Sequence, residues 1–341
     1  MGILFKKPDF TIPEGGIDSV ERLMIGGIEQ YILIQGEKAD NPILLFLHGG
    51  PSMPMPGISS RGRDYTVATN TKDLVKEFIV VFWDQRGTGK SYHPAIPQES
   101  MNVEQFIKDA NEVTDYVRNR FGQTKIFLAA HSFGTLIGLQ LVKRHPEKFH
   151  SYTGISQIVS WTENDKLSYT WALQEAERRR NRKALSELKA VGEPPYVESF
   201  EQWSVLRKWQ VRFHSLTYPV EAIKHPGMVP VMMDLFRSKD YSLKDIYNTF
   251  YKGFKLVYTK SFIDHLPHIN MATSVQDVEI PVTFIHGRND VHVHGQLLEA
   301  YARSLNAPRG KRVVWLDLSS HMFHPIDTKA IETYLISEKY R

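Results

Sequence analysis

A serine at position 132 is the residue of this sequence best placed to do covalent chemistry. It follows the apolar run 126–129, and small residues stand two positions before it, Ala130, and two positions after it, Gly134. Small side chains at those positions let a strand turn sharply into a helix, with the serine hydroxyl held out at the turn. Because the amino end of a helix also stabilises negative charge, this pattern predicts Ser132 as the nucleophile of an acyl-transfer reaction.

A glycine-rich stretch, His48-Gly49-Gly50-Pro51, follows another apolar run at 43–47. Acyl transfer needs two backbone N–H groups to bind the negatively charged oxygen of the intermediate. We expect one from Phe133, the residue after the nucleophile. We expect the other from Gly50, where the absence of a side chain lets the backbone approach the substrate. The sequence therefore predicts an oxyanion hole formed by Gly50 and Phe133.

A third motif, Asp84-Gln85-Arg86-Gly87-Thr88-Gly89-Lys90-Ser91, ends like a phosphate-binding loop. That loop requires a glycine five positions before Gly89, where Asp84 stands, so the motif argues against an ATPase. The three motifs, taken in their order along the chain, resemble those of the prolyl aminopeptidase (proline iminopeptidase) family, which are serine hydrolases of the α/β-hydrolase fold. The resemblance covers the predicted sheet and does not extend to residues 160–275.

The resemblance implies an acid and a base for Ser132. Asp290 ends the motif Gly287-Arg288-Asn289-Asp290 after the apolar run 282–285, and His321 lies in the loop after the run 313–316, where the family carries these two residues. In these roles His321 takes the proton from Ser132, while Asp290 holds the imidazole tautomer and stabilises its cation. The chain order Ser, Asp, His is the order of α/β-hydrolases.

Neighbouring residues are alternatives for these roles. His324 lies three residues beyond His321 and is the second candidate for the base, and Asp317, beside the last strand, is the second candidate for the acid. His131 adjoins the nucleophile, but in such a turn its side chain points away from Ser132. We therefore assign the catalytic roles to Ser132, Asp290 and His321.

Histidine pairs at two places have spacings that metal sites use. His292 and His294 alternate, and His265 and His268 are three residues apart. The chain has 14 histidines, and none of these pairs belongs to a His-Glu-x-x-His motif. We interpret them as structural or surface residues and predict that the protein uses neither a metal nor a cofactor.

The elements that position these residues are visible as apolar runs separated by helical patterns. Two runs flank Gly26-Gly27 and predict a β-hairpin, whereas the later runs are apolar on both faces, as in a parallel sheet covered by helices. The expected strands are 20–25, 28–34, 43–47, 78–83, 126–129, 282–285 and 313–316, and the expected helices are 103–120, 133–145, 296–305 and 328–337. This alternation predicts an α/β fold with a mostly parallel, doubly wound sheet, namely the α/β-hydrolase fold.

The region 160–275 interrupts the alternation. It contains several helix-like segments rich in tryptophan, tyrosine and charge, and it is too long for a loop. We predict a helical cap at 160–275, inserted into a core domain made of residues 1–159 and 276–341.

Composition excludes several classes of function. The net charge is +4, from 42 basic and 38 acidic residues, which gives no reason to expect nucleic acid or a membrane surface as a partner. The chain has no cysteine, so disulfides and thiolate metal sites are excluded. Because the apolar runs are too short to span a bilayer and no signal peptide is recognisable, we expect a soluble, cytoplasmic protein.

The family resemblance implies a peptidase that releases an N-terminal residue, often proline. Such an enzyme needs carboxylates near its site to bind the free ammonium group, and Glu163, Asp165, Glu175 and Glu177 in the predicted cap are candidates. A carboxylesterase, amidase or lactonase would use the same three catalytic residues on a small molecule. A receptor without catalysis is a further alternative. An epoxide hydrolase is disfavoured because it uses aspartate at the position of Ser132. The sequence leaves the oligomeric state open.

Overall fold

A single sheet of eight strands organises the protein. In the computed structural model, which describes residues 7–217 and 224–341, the strand order is β1-β2-β4-β3-β5-β6-β7-β8. The strands are β1 (Ile17–Ile25), β2 (Ile28–Gly36), β3 (Ile43–Leu47), β4 (Ile79–Asp84), β5 (Ile126–His131), β6 (Phe149–Ile155), β7 (Val282–Gly287) and β8 (Lys311–Leu316).

The sheet is antiparallel at one edge and parallel elsewhere. β1 and β2 form the hairpin expected around Gly26-Gly27, and β2 also pairs antiparallel with β4. From β4 to β8 every neighbouring pair is parallel, so the carboxyl ends of these strands meet at one edge. Every residue of β3, β4 and β5 is buried, which explains their continuous apolar runs.

Helices lie between the strands and in a long segment between β6 and β7. The helices associated with the sheet are α1 (Leu74–Glu77), α2 (Val103–Arg120), α3 (Gly134–Arg144), α12 (Gly295–Ser304) and α13 (Pro325–Ser337). Those between β6 and β7 are α4 (Trp161–Arg178), α5 (Arg182–Val191), α6 (Phe200–Arg212), α7 (Val229–Arg237), α8 (Leu243–Tyr247), α9 (Phe254–Val257), α10 (Lys260–His265) and α11 (Met271–Ser274), with a π-helical turn at Asn248–Gly253.

Side chains on alternate positions of a strand enter different apolar clusters. Leu45 and Leu47 of β3 pack in one cluster with residues of α2 and α3, whereas Leu44 and Phe46 pack in a second cluster with residues of α1 and α13. Helices α4, α5 and α6 contain a third, separate cluster that includes Trp209. The central strands are therefore fixed from both faces, and the first helices after β6 have a small core of their own.

The predicted α/β fold with a mostly parallel sheet is confirmed, and the seven expected strands are present. Helix α2 has the bounds read from the sequence. Strand β6 was not predicted, because its buried positions include Ser151 and Thr153, which break the apolar run. It lies between β5 and β7 and completes the sheet.

Candidate active site

Ser132 lies in the sharp turn between β5 and α3. Its φ is +51°, a value that L-residues adopt at a cost, and its N–H donates to Ile155 O over 3.0 Å. The hydroxyl and the N–H of Thr135 both donate to Ser132 O, at 2.6 and 2.9 Å. A Cβ on Gly134 would lie 2.5 Å from Leu47 O, so only glycine allows α3 to begin this close to β3. The turn is thus held by backbone contacts on both sides of the serine.

A chain of hydrogen bonds joins Ser132 to His321 and Asp290. His321 Nε2 is 3.0 Å from Ser132 Oγ, and His321 Nδ1 is 2.9 Å from Asp290 Oδ2. All three residues are buried, with 6–8% of their surface exposed. Asp290 follows β7 and His321 follows β8, so the parallel strands bring together residues that are 31 and 189 positions apart. This arrangement can transfer a proton from the hydroxyl to the imidazole.

Asp290 is held in its charged form. Burial by itself raises the pKa of this carboxyl group, but the adjacent His321 and hydrogen-bond donors outweigh it, so the pKa lies well below its usual range. Its Oδ1 accepts from the N–H groups of His292 and Val293, both at 2.8 Å, and its Oδ2 accepts from Ser156 Oγ at 3.1 Å. An ionised Asp290 can orient the imidazole and stabilise its cation.

The predicted oxyanion-hole residues lie beside the nucleophile. The loop after β3 packs against the turn, since a Cβ on Gly49 would lie 3.1 Å from Ser132 Cβ. Within the described ranges, the N–H groups of Gly50 and Phe133 have no hydrogen-bond partner. Gln85 fixes this loop by donating from its N–H to His48 Nε2 (3.2 Å) and from its side chain to His48 O (3.0 Å). Unpaired N–H groups are therefore present on Gly50, which lines the same cavity as Ser132, and on Phe133, which follows it in the chain.

The residues of the motif around Asp84 are absent from the described lining of the cavity at Ser132. Arg86 forms a buried ion pair with Asp109, with Nε and Oδ2 separated by 2.8 Å. Asp84 Oδ2 accepts from Tyr241 OH at 2.5 Å, and burial raises the pKa of Asp84 to about 6. This motif belongs to the family resemblance, and its side chains form hydrogen bonds with other buried side chains of the protein.

The alternative acid and base have other partners. The His324 side chain accepts from the N–H of Ile326, as an N-cap of α13, and Asp317 is an exposed partner of Arg288. The His131 ring contacts His321 O through Nε2 at 3.3 Å, and burial followed by the nearby His321 lowers its pKa to about 3. A largely neutral His131 ring therefore packs against the backbone of the proposed base.

His292 is a residue near the site that the sequence did not single out for it. Its ring centroid is 4.7 Å from that of His321, and burial holds its pKa well below the usual range. Both histidines of the other pair, His265 and His268, are exposed. No cluster of three or more potential metal ligands occurs in residues 7–217 and 224–341. The contact between the His292 and His321 rings forms only on folding, so no local sequence signal assigns His292 to the site.

A cavity of about 300 Å³ opens above Ser132. Helices and loops between β6 and β7 contribute part of its lining, including the aromatic residues Trp161, Trp203 and Tyr258, and the loop after β3 and His321 contribute another part. Among the described residues that line it, Arg207 is the one with a permanent charge. The cavity is thus predominantly apolar, with one cation in its wall.

The four candidate carboxylates for an ammonium group do not line this cavity. Asp165 is buried and pairs with Arg207, whereas Glu175 pairs with Arg178 and Arg179. Two others are directed elsewhere: Glu163 pairs with Lys166, and Glu177 is exposed. Asp165 thus pairs with a residue of the cavity lining, Arg207.

The comparisons with known proteins agree with the fold. A model of the alpha/beta hydrolase fold family matches residues 42–327. The chain belongs to the α/β-hydrolase fold family. In the part of the chain that the structure describes, no helix is both long enough and apolar enough to cross a membrane.

The relatives include peptidases and other hydrolases. A probable aminopeptidase, YbaC, of Bacillus subtilis (strain 168) is 31% identical over 315 residues, covering 92% of this chain and 94% of the relative. A proline iminopeptidase of Lactobacillus helveticus is 28% identical over 126 residues, 37% of this chain and 39% of that protein. The solved structure of the 2-hydroxy-6-oxo-6-phenylhexa-2,4-dienoate hydrolase of Rhodococcus sp. strain RHA1 has a TM-score of 0.63 at 18% identity, covering 96% of this chain and all of that chain. These relatives support a hydrolase with family ties to aminopeptidases.

Proposed function

We propose that the protein is a serine hydrolase that works through an acyl-enzyme, with Ser132 as nucleophile, His321 as base and Asp290 as acid. The proposal rests on the hydrogen-bonded chain of these three side chains, which ends beside two unpaired N–H groups. In it, the helices between 160 and 275 act as a cap over a core of residues 1–159 and 276–341, in a cytoplasmic enzyme.

The reaction has two steps. Ser132 Oγ attacks the carbonyl carbon of the substrate while its proton passes to His321 Nε2, and the N–H groups of Gly50 and Phe133 bind the oxyanion. The carbonyl–leaving-group bond breaks as His321 returns the proton to the leaving group. Water, activated by the same imidazole, then releases the acyl group. The depressed pKa of Asp290 keeps that residue ionised throughout, as stabilising the imidazolium requires.

For the substrate, we propose release of N-terminal residues from peptides. The similarity to a probable aminopeptidase over 92% of the chain supports it. A carboxylesterase, amidase or lactonase acting on an apolar small molecule is a second candidate. The cavity favours this candidate, because its described lining contains Arg207 and no carboxylate that could bind an ammonium group. A non-catalytic receptor for a small molecule stays a third hypothesis.

Covalent labelling tests the proposed nucleophile independently of the substrate. A fluorophosphonate probe loses fluoride as a serine Oγ–P bond forms, and we expect mass spectrometry to locate the label on Ser132. Ser132→Ala and His321→Ala should lower labelling, and any turnover of para-nitrophenyl acetate or proline para-nitroanilide, by at least about 10³-fold.

The matched control is His324→Ala, which removes the alternative base and should keep most of the activity. Undiminished turnover by Ser132→Ala would refute the proposed mechanism. Loss of activity in His324→Ala with retention in His321→Ala would exchange their roles.

A second comparison separates peptidase from esterase. An aminopeptidase binds the free ammonium group of its substrate, so N-acetylation of proline para-nitroanilide should lower kcat/KM by about 10²-fold or more, a loss typical of removing a charged contact. Equal rates for the acetylated and free compounds would exclude exopeptidase recognition. Faster turnover of para-nitrophenyl esters than of either arylamide would then favour the second candidate.

A further inference from the structure

One side chain of helix α4 binds the backbone on both sides of Val293, in the loop of the proposed acid. Asn164 Nδ2 donates to His292 O over 3.0 Å, and Asn164 Oδ1 accepts from the N–H of His294 over 2.9 Å. Of the side chains that could stand there, only an amide supplies a donor and an acceptor at this spacing. Asn164 is buried, with 5% of its surface exposed, and both bonds are partly buried.

The clamped segment is the one that holds Asp290. The N–H groups of His292 and Val293 both donate to Asp290 Oδ1 at 2.8 Å. His292 O and the N–H of Val293 belong to one planar peptide unit, so fixing His292 O also fixes the direction of the Val293 donor to Asp290. Asp290 Oδ2, the other oxygen of the same group, is then left to face His321 Nδ1.

Asn164 also belongs to the wall of the cavity above Ser132. A second residue of the same group of helices, Gln210 of α6, contacts the same loop by donating to Val291 O over 3.3 Å. The loop of the acid is thus bonded to α4 and α6, which also form a wall of the cavity.

We propose that Asn164 is a positioning residue, which holds the 291–294 backbone so that Asp290 points at His321. The alignment of Asp290 then depends on the position of helix α4. The inference rests on the proposed function, since it assigns Asn164 a task within that mechanism. Asn164 lies on a helix between β6 and β7 and would act on Asp290 through the backbone of residues 292–294.

The test is the kinetics of fluorophosphonate labelling in the full chain. For Asn164→Ala we expect the maximal labelling rate to fall about tenfold, while the probe concentration at half-saturation changes less than about threefold. The acidic limb of the pH–rate profile should move to lower pH, because a misdirected carboxylate stabilises the His321 cation less.

Other titratable groups face these residues, and they stay unchanged in the test. The rings of His131 and His292 lie against His321, and His286 Nε2 is 3.9 Å from Asp290 Oδ2. The matched control is Ser168→Ala, one turn further along α4, whose hydroxyl contacts the His294 ring at 3.2 Å and no backbone atom of the loop. This variant should label like the wild type.

The outcomes distinguish the two proposals. If Ser132→Ala abolishes labelling but Asn164→Ala keeps the wild-type rate and pH profile, the positioning role is wrong and the proposed mechanism stands. A slower rate with an unmoved acidic limb, or an equal loss in Ser168→Ala, would indicate lost packing and would also overturn the inference. If Ser132→Ala labels normally, the proposed mechanism itself fails.

Discussion

At the scale of single residues, two buried aspartates show how partners decide the charge of a carboxyl group. Burial raises the pKa of both, but Asp290 has the imidazole of His321 at 2.9 Å, and its pKa falls below the usual range. Asp84 accepts from neutral donors, the N–H groups of Ile58 and Lys90 and the hydroxyl of Tyr241, and its pKa rises to about 6. The neutral donors and the nearby charge of Lys90 therefore do not offset the desolvation of Asp84, whereas His321 and the other groups around Asp290 do offset its desolvation.

The raised pKa of Asp84 predicts that the free energy of unfolding depends on pH. Between about pH 4 and pH 6 the folded chain binds a proton at Asp84 that the unfolded chain has released, so the free energy of unfolding falls as the pH rises. A rise of the Asp84 pKa to about 6 lowers the free energy of unfolding by about 3 kcal/mol across this pH window. Asp84→Asn, which has no titrating group there, should remove this pH dependence. Urea unfolding at several pH values should show wild-type stability falling relative to this variant as the pH rises through the window.

Asp317→Asn is the control, because it removes the same charge from an exposed side chain that pairs with Arg288. Parallel stability curves for the wild type and Asp84→Asn between pH 4 and pH 7 would contradict the assigned role of Asp84.

At the scale of elements, the Arg86–Asp109 pair joins three elements of the sheet and its helices. Arg86 lies after β4, Asp109 belongs to α2, and the guanidinium also donates to Gly26 O in the turn between β1 and β2 at 2.8 Å. Gln30 of β2 adds a bond to Asp109 at 2.7 Å. Because both charges are fully buried and every donor has a fixed direction, this cluster sets how the hairpin and α2 meet behind β4.

Removing one partner of this pair should cost far more than removing an exposed pair. Asp109→Asn leaves the guanidinium charge uncompensated in the interior, and we expect it to lower the free energy of unfolding by about 3–5 kcal/mol. Glu29→Ala removes the partner of Arg22 in a pair whose side chains are 63% and 53% exposed, and it should cost less than about 1 kcal/mol. Urea or thermal unfolding measures both; equal losses would show that burial does not govern the pair.

At the scale of the whole molecule, the site exists because parallel strands end at one edge of the sheet. Ser132 follows β5, Asp290 follows β7 and His321 follows β8, so strand order converts large separations along the chain into distances of about 3 Å. Helices α4 and α6 complete the cavity and bond to the loop of Asp290. The three side chains thus follow strands of the sheet, and the cavity above them is bounded by helices between β6 and β7.

Much of the sheet could be predicted because its strands carry a local signal. Strand β3 has the bounds of the apolar run 43–47, since a strand buried on both faces has no polar position to blur its ends. Strand β6 escaped prediction because its polar residues are buried by neighbours that the local sequence does not reveal. The same applies to Asn164, whose two partners lie about 130 residues away.

The sequence by itself determined the turn around Ser132 and the order of the motifs, because an apolar run, small residues at positions 130 and 134 and a helical pattern are adjacent in the chain. It also nominated Asp290 and His321, and their catalytic roles stay predictions. Only the tertiary structure decided which side chains face the cavity. It paired Asp165 with Arg207, placed His292 against His321 and left no described carboxylate in the lining. The reason is physical: strand and turn preferences act over a few residues, whereas charge pairing and cavity shape depend on residues that meet only after folding.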